Sequence, residues 1–185
     1  AIMFLNSLKD MLSGGKSKTN ITVKWDGAPA IFAGINPENG KFFVGTKGVF
    51  AQNAKLNYTN GDIDKNHPGE GLNAKLKIAL KYLSELGITG VMQGDMMFTS
   101  SDLKTEKIDG KSYITFQPNT IMYAVDVESK LGKEIASSKM GIVFHTTYTG
   151  STIDGLSASF GAKLPSGSSS DVWMDDATYK DVSGN

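Results

Sequence analysis

The chain has 185 residues and 19.8 kDa, room for one ordinary domain or for one domain with a small appendage. Hydrophobic residues make up 39% and charged residues 21%, the balance of a globular core and not of a disordered tail. Its 19 basic and 19 acidic residues cancel, so no global field draws it to nucleic acid or membrane, and any basic footprint must be local.

All 19 basic residues are lysine. The absence of arginine excludes an arginine finger and bidentate guanidinium clamps supplied by this chain, and leaves lysine for every phosphate contact. Zero cysteines exclude disulfides, cysteine-ligated zinc and thiol nucleophiles. The two histidines, His67 and His145, lie far apart and match no metal-ligand spacing. No apolar run approaches the roughly 18 residues of a spanning helix, and no basic-then-apolar leader precedes a small-residue cleavage site. These features predict an intracellular, cytoplasmic protein with no membrane partner.

In chain order, Ile2, Leu5, Leu8, Met11 and Leu12 make a helical stripe that Gly14-Gly15 ends. Ile21–Trp25 reads as a strand stopping at Asp26-Gly27, and an apolar strand resumes over Ala30–Ile35. Asn36-Pro-Glu-Asn-Gly40 is dense in turn residues and leads into a strand from Lys41 to Thr46, so the three strands predict an antiparallel meander. Residues 51–70 are polar and read as a long surface loop. Leu72, Leu76, Ile78, Leu80, Leu83 and Leu86 mark an amphipathic helix that Gly87 is placed to end. Strands follow over Gly90–Phe98, Lys111–Phe116, Thr120–Val127 and Gly141–Tyr148, with a short helix over Ser129–Lys139. From Gly161 onward the chain is rich in serine and glycine and loses periodicity. Strands outnumber helices without alternating with them, so the expected fold class is α+β, antiparallel β-sheets with flanking helices. The expected organisation is a domain over residues 1–160 and a loose segment over 161–185.

The most informative stretch is Lys24-Trp25-Asp26-Gly27. Strand alternation places Lys24 beside Ile31-type neighbours, and partial burial of its stem favours the free, nucleophilic amine. Gly27 lets the backbone turn and approach a ligand closely. On these four residues alone, an exposed strand-end lysine before an ordinary Asp-Gly turn is the other reading.

The context adds to this. Lys24-Trp25-Asp26-Gly27 resembles motif I of the covalent nucleotidyltransferase superfamily, the ATP-dependent DNA and RNA ligases and the mRNA capping enzymes. The next motif of that family, a strand ending in a basic residue and glycine, is matched by Val44-Gly-Thr-Lys47-Gly48, with Lys47 in place of the arginine. A third, an apolar strand ending Gly-Glu-apolar, is matched by Val91-Met-Gln-Gly94-Asp95-Met96-Met97-Phe98, with Asp95 for the glutamate. A fourth, an aromatic in an apolar strand closing on Asp, is matched by Thr120-Ile-Met-Tyr123-Ala-Val-Asp126-Val. The resemblance covers about residues 20 to 150 and is greatest to ligases of tailed marine phages. Lys139-Met140-Gly141-Ile142-Val143 is only superficially similar to the later Glu-Gly-apolar-Val motif, and no Lys-x-Lys pair follows it. The resemblance therefore implies either a domain lacking its C-terminal motifs or one in which they have degenerated.

What the resemblance implies is the adenylation domain of an ATP-grasp-like ligase, a virus-encoded monomer in the host cytoplasm. Lys24 would be the catalytic nucleophile and carry AMP as a phosphoramide. Val23, Trp25, Asp26, Gly27, Lys47, Asp95 and Tyr123 would bind the nucleotide, with Tyr123 stacking on the base. ATP and Mg²⁺ would be the cofactors, with Asp95 as a metal ligand. The partner would be a nucleic acid with 5′-phosphate and 3′-hydroxyl ends. Without the lysine pair, ATP binding and activity are expected to be weak. DNA versus RNA and ATP versus GTP stay open, as do an inactive nucleic-acid-binding or phage structural module and an unrelated α+β domain.

Five other signals have plainer readings. Gly15-Lys16-Ser17 lacks the first glycine of a P-loop. His145 reads as a satisfied strand histidine, His67 as a solvated loop residue and Met96-Met97 as core filler. Asp175-Asp176 reads as a solvated acidic turn.

Overall fold

The computed structural model describes residues 23–178 together with Leu5, Asn6, Lys9 and Ser13. The first expected helix falls outside this range except for Leu5, Asn6 and Lys9, which are helical, and Gly15-Lys16-Ser17 lies wholly outside it.

β1 (Ala30–Ile35) and β2 (Phe42–Gly45) form the expected hairpin. Its turn is built by the predicted residues: Gly40 takes φ 69°, and the Asn36 side chain accepts from the Glu38 N–H at 2.8 Å. Lys47–Phe50 then make one 3₁₀ turn. The segment expected to be a long loop instead contains α1 (Asn60–Asn66). Thr59 and Asp62 form a capping box that satisfies the first turn of this polar helix, and its single buried residue, Ile63, pins it to the core. α2 (Glu70–Leu83) buries Leu76, Ala79 and Leu83, and after a 3₁₀ turn over Ser84–Leu86 it ends at Gly87 with φ 66°, as the pattern predicts.

β3 (Val91–Thr99) leads to β4 (Lys104–Ile108), β5 (Lys111–Phe116) and β6 (Tyr123–Asp126), and then come α3 (Lys130–Ser137) and β7 (Met140–Thr149). β4 is an addition to the expected strands. The Asp109-Gly110 turn that joins it to β5 has both residues at positive φ, 49° and 81°, the hairpin turn that matches strand twist. β8 (Ser157–Phe160) and β9 (Val172–Asp176) complete the chain.

The fold is α+β with antiparallel sheets and flanking helices. The main sheet runs β2-β1-β3-β7-β8, with β9 also on β7; the second sheet is β4-β5-β6. The expected meander of Ile21–Trp25 with the next two strands is not formed by its described part: residues 23–27 are outside regular strand, and β1 pairs with β3 instead.

One face of the main sheet presents Ile31, Ala33, Met92, Met96, Ile142 and Phe144 to α1 and α2. The other face packs Met97, Phe98 and Val143 against Ile114 and Phe116 of the small sheet and Ile135 of α3. Met96 and Met97 are core filler, as expected. The segment after Gly161 is not loose throughout. β9 pairs in parallel with β7, Met140 against Val172 through Phe144 against Asp176. Val172 and Met174 pack with the helix-side core and Trp173 with the opposite one. That alternation is only five residues long and ends in two aspartates, so composition masks it.

Candidate functional site

The site is set by an irregularity in the central strand pair. Gln93 of β3 faces Thr146 of β7, but the next residue, Gly94, faces Phe144, which leaves His145 as an extra residue on β7. A bulge of this kind bends the strand and re-aims a side chain. His145 Nε2 comes to 3.7 Å from Asp95 Oδ1, and its Nδ1 is 2.7 Å from Thr146 Oγ1.

The outer edge of β7 is shared by two strands that meet at the same bulge. After β9, the Ala177 N–H donates to the Phe144 carbonyl at 2.9 Å; after β8, the Gly161 N–H donates to the His145 carbonyl at 2.9 Å. The segment carrying Lys24 starts here, the Val23 N–H donating to the Ala177 carbonyl at 2.8 Å. It reaches β3 at its other end, where the Ala28 N–H donates to the Met96 carbonyl at 2.9 Å. Residues 23–28 thus pass across the Asp95–Val143 pair.

Beneath them is a cavity of about 270 Å³ lined by Val23, Lys24, Trp25, Asp95, Val143, His145, Phe160 and Ala177. Four residues expected at the nucleotide, Val23, Lys24, Trp25 and Asp95, therefore share one cavity. Lys24 is exposed, contrary to the buried stem expected from strand alternation, because the segment lies over the sheet and not within it.

Asp26 is turned away from this cavity. Its Oδ2 accepts from the backbone N–H groups of Thr120 and Ile121, both at 2.7 Å, and its Oδ1 accepts from the Asn119 side chain at 2.9 Å. These bonds, the Ile121 N–H foremost and the Asn119 amide next, hold its carboxyl below the usual carboxylate range. The carboxylate is a clamp between the Lys24 segment and the turn before β6.

Tyr123 completes that clamp, its hydroxyl accepting from the Asp26 N–H at 2.9 Å. Its ring stacks on Trp25 at 5.7 Å and 22°, and on Phe116 at 5.4 Å and 14°. Tyr123 does not line the cavity and backs the indole that does. Gly27 lies against Asp95, and Lys47 is an exposed residue of the 3₁₀ turn after β2 that does not line the cavity either. Register places Gly45 opposite Phe32 and Asp95 opposite Ala30, so Lys47 leaves its strand at the sheet end that carries Asp95.

Val143, His145, Phe160 and Ala177 are the cavity residues that sequence reasoning did not place at the nucleotide. A period-two reading cannot reveal a bulge, so His145 looked like any strand histidine. Asp175 and Asp176 are half-buried strand residues and not a solvated turn. His67 is also unlike its expectation: it is buried, with Nε2 3.3 Å from the Asn57 side-chain amide.

Among the described residues no group of three or more His, Cys, Asp or Glu side chains could hold a metal ion by itself. Among the described residues Asp95 is the one carboxylate lining the cavity, and Mg²⁺ commonly binds through one or two carboxylates, substrate phosphates and water. Asp95 thus fits a metal that arrives with a phosphate ligand and does not form a pre-built protein cage. No helix among the described residues is long and apolar enough to cross a membrane.

The chain matches, over residues 1–185, the family described as a family of unknown function (DUF6267), and it belongs to that family. No curated protein and no solved structure matches it significantly.

Proposed function

We propose that this member of the DUF6267 family is a covalent nucleotidyltransferase with the adenylation fold of an ATP-dependent polynucleotide ligase. The observation that supports this most is one cavity that gathers Lys24 and Asp95 from separate stretches of chain, each within its own motif resemblance. The close seat of Gly27 on Asp95 adds to it, since it holds the Lys24 segment against the strand that carries Asp95.

In this reading ATP enters with its α-phosphate toward Lys24. Lys24 Nζ attacks the α-phosphorus, a P–N bond forms, the bond to the bridging oxygen of the β-phosphate breaks, and pyrophosphate leaves. The attacking amine loses its proton to solvent water, to which Lys24 is exposed, and the product is a lysyl-AMP phosphoramide. Asp26 acts by fixing the segment through Thr120 and Ile121, and Trp25, backed by Tyr123, provides an apolar wall. Asp95 would hold Mg²⁺, which supplies charge neutralisation on the phosphates. Lys47 serves an incoming 5′-phosphate as a point charge from the same end of the sheet. AMP then passes to that 5′-phosphate, and a 3′-hydroxyl displaces it.

The polynucleotide assignment is tested with nicked DNA and RNA duplexes bearing a 5′-phosphate, incubated with the protein, ATP and Mg²⁺. Adenylylated 5′ ends and joined strands are expected, and both should disappear in Lys24→Ala. Protein that carries the adduct yet produces neither species would overturn the polynucleotide acceptor.

A second reading is an inactive binding module of the same fold. The Tyr123 ring favours it, because stacking on Trp25 and Phe116 withdraws the expected base platform. That reading predicts ligand binding without covalent transfer.

A further inference from the structure

Phe160 is the last residue of β8 and is 92% exposed. Its backbone is nonetheless fixed on both sides. Ser159 pairs with Thr147 of β7; Gly161 donates to the His145 carbonyl at 2.9 Å and accepts from Thr147 Oγ1 at 3.2 Å. The phenyl ring is thus held out of the core by ordered neighbours, and it lines the cavity that also contains Lys24 and Asp95.

Trp25 lines the same cavity, but its indole is already engaged, stacked on Tyr123 and edge-on to Trp173 at 6.3 Å. The cavity therefore has a braced aromatic wall and, at its mouth, an exposed ring. Lys24, Asp95 and His145 are its polar lining, the last two 3.7 Å apart. Apolar rings beside a cation suit a flat heteroaromatic group joined to phosphate.

We infer that Phe160 is the stacking platform for the nucleobase of the bound nucleotide, the place the motif resemblance gave to Tyr123. This rests on the nucleotidyltransferase reading and adds the residue that recognises the base. Stacking accepts every base because each has a π-face, so the site binds ATP and GTP within a few-fold of one another.

The test is calorimetric titration of the full chain with ATP, GTP and inorganic tripolyphosphate, for wild type, Phe160→Ala, Phe160→Leu and Phe160→Tyr. Thermal melts accompany each variant; a ring this exposed can be removed without opening the core, so their midpoints should match wild type. Phe160→Ala and Phe160→Leu should weaken both nucleotides about 5- to 150-fold, the range of base–aromatic stacking. Phe160→Tyr should bind as wild type, and tripolyphosphate affinity should be the same in all four proteins. Unchanged nucleotide affinity in Phe160→Ala, wild-type affinity in Phe160→Leu, or equal loss of tripolyphosphate would overturn the stacking role and leave the nucleotidyltransferase reading standing. Wild-type protein that binds neither nucleotide would overturn both.

Discussion

Gly27 and Asp95 are in such close approach that a β-carbon at position 27 would lie 2.6 Å from the Asp95 β-carbon. It would also lie 2.9 Å from the Met97 sulfur and 3.0 Å from the Met96 carbonyl oxygen. The methionine could move aside; the carbonyl and the aspartate stem belong to the central strand. Gly27→Ala must therefore lift the Lys24 segment from β3. Overpacking of this kind costs about 1–3 kcal/mol. A lowered thermal midpoint is expected together with loss of Lys24 reactivity, whereas Gly40→Ala in the distant β1–β2 turn should change stability alone.

Tyr123 is the second joint of the same segment. Tyr123→Phe keeps the ring stack and removes the acceptor for the Asp26 N–H, a part-buried bond of 2.9 Å. A loss of about 1–2 kcal/mol is expected, the cost of a hydrogen bond whose donor is left partly unsatisfied. Denaturant melts of the two proteins measure it. A change below about 0.5 kcal/mol would mean that water replaces the phenol freely.

The Asp26 clamp makes stability depend on acid. Its folded-state carboxyl lies below the ordinary 3.8, so the contribution is fully present above that value and is lost as pH falls through the folded value. Asp26→Asn removes the charge at every pH. The difference in thermal midpoint between wild type and variant should be constant near neutrality and shrink in acid. A difference that does not vary with pH would contradict the clamp.

Much of the fold and part of the site could be read from the sequence, and the division has physical causes. Turn chemistry at Asn36–Gly40, the apolar stripe from Leu72 to Leu83 and the Gly87 stop each act locally, and each is found where expected. α1 was hidden because its stability comes from the Thr59–Asp62 box and one buried side chain, not from an apolar stripe. β9 was hidden because a parallel partner distant in sequence determines it. In the site, Lys24 and Asp95 stood out in the sequence, and both line the cavity. The roles of Asp26 and Tyr123 were not, since both are fixed by contacts with segments almost 100 residues away in the chain. His145 required the bulge.

His67 gives a pH signature of its own, away from the cavity. Burial, with the Lys55 charge as a smaller cause, pushes its imidazole below the ordinary 6.5. The unfolded chain therefore takes up the proton first as pH falls, and stability declines below about 6.5. His67→Gln, which can still accept from the Asn57 amide, should flatten the fall in thermal midpoint between pH 7 and pH 5. An equal fall in the variant would assign the slope to other groups.

The most direct measurement of the central claim is peptide mapping by mass spectrometry after long incubation of the full chain with ATP or GTP and Mg²⁺, beside Lys24→Ala. The account predicts a slowly formed nucleotidyl group on the Lys24 peptide, at low stoichiometry, and none in the variant. An unmodified Lys24 peptide, or a nucleotide on another lysine that persists in Lys24→Ala, would contradict it.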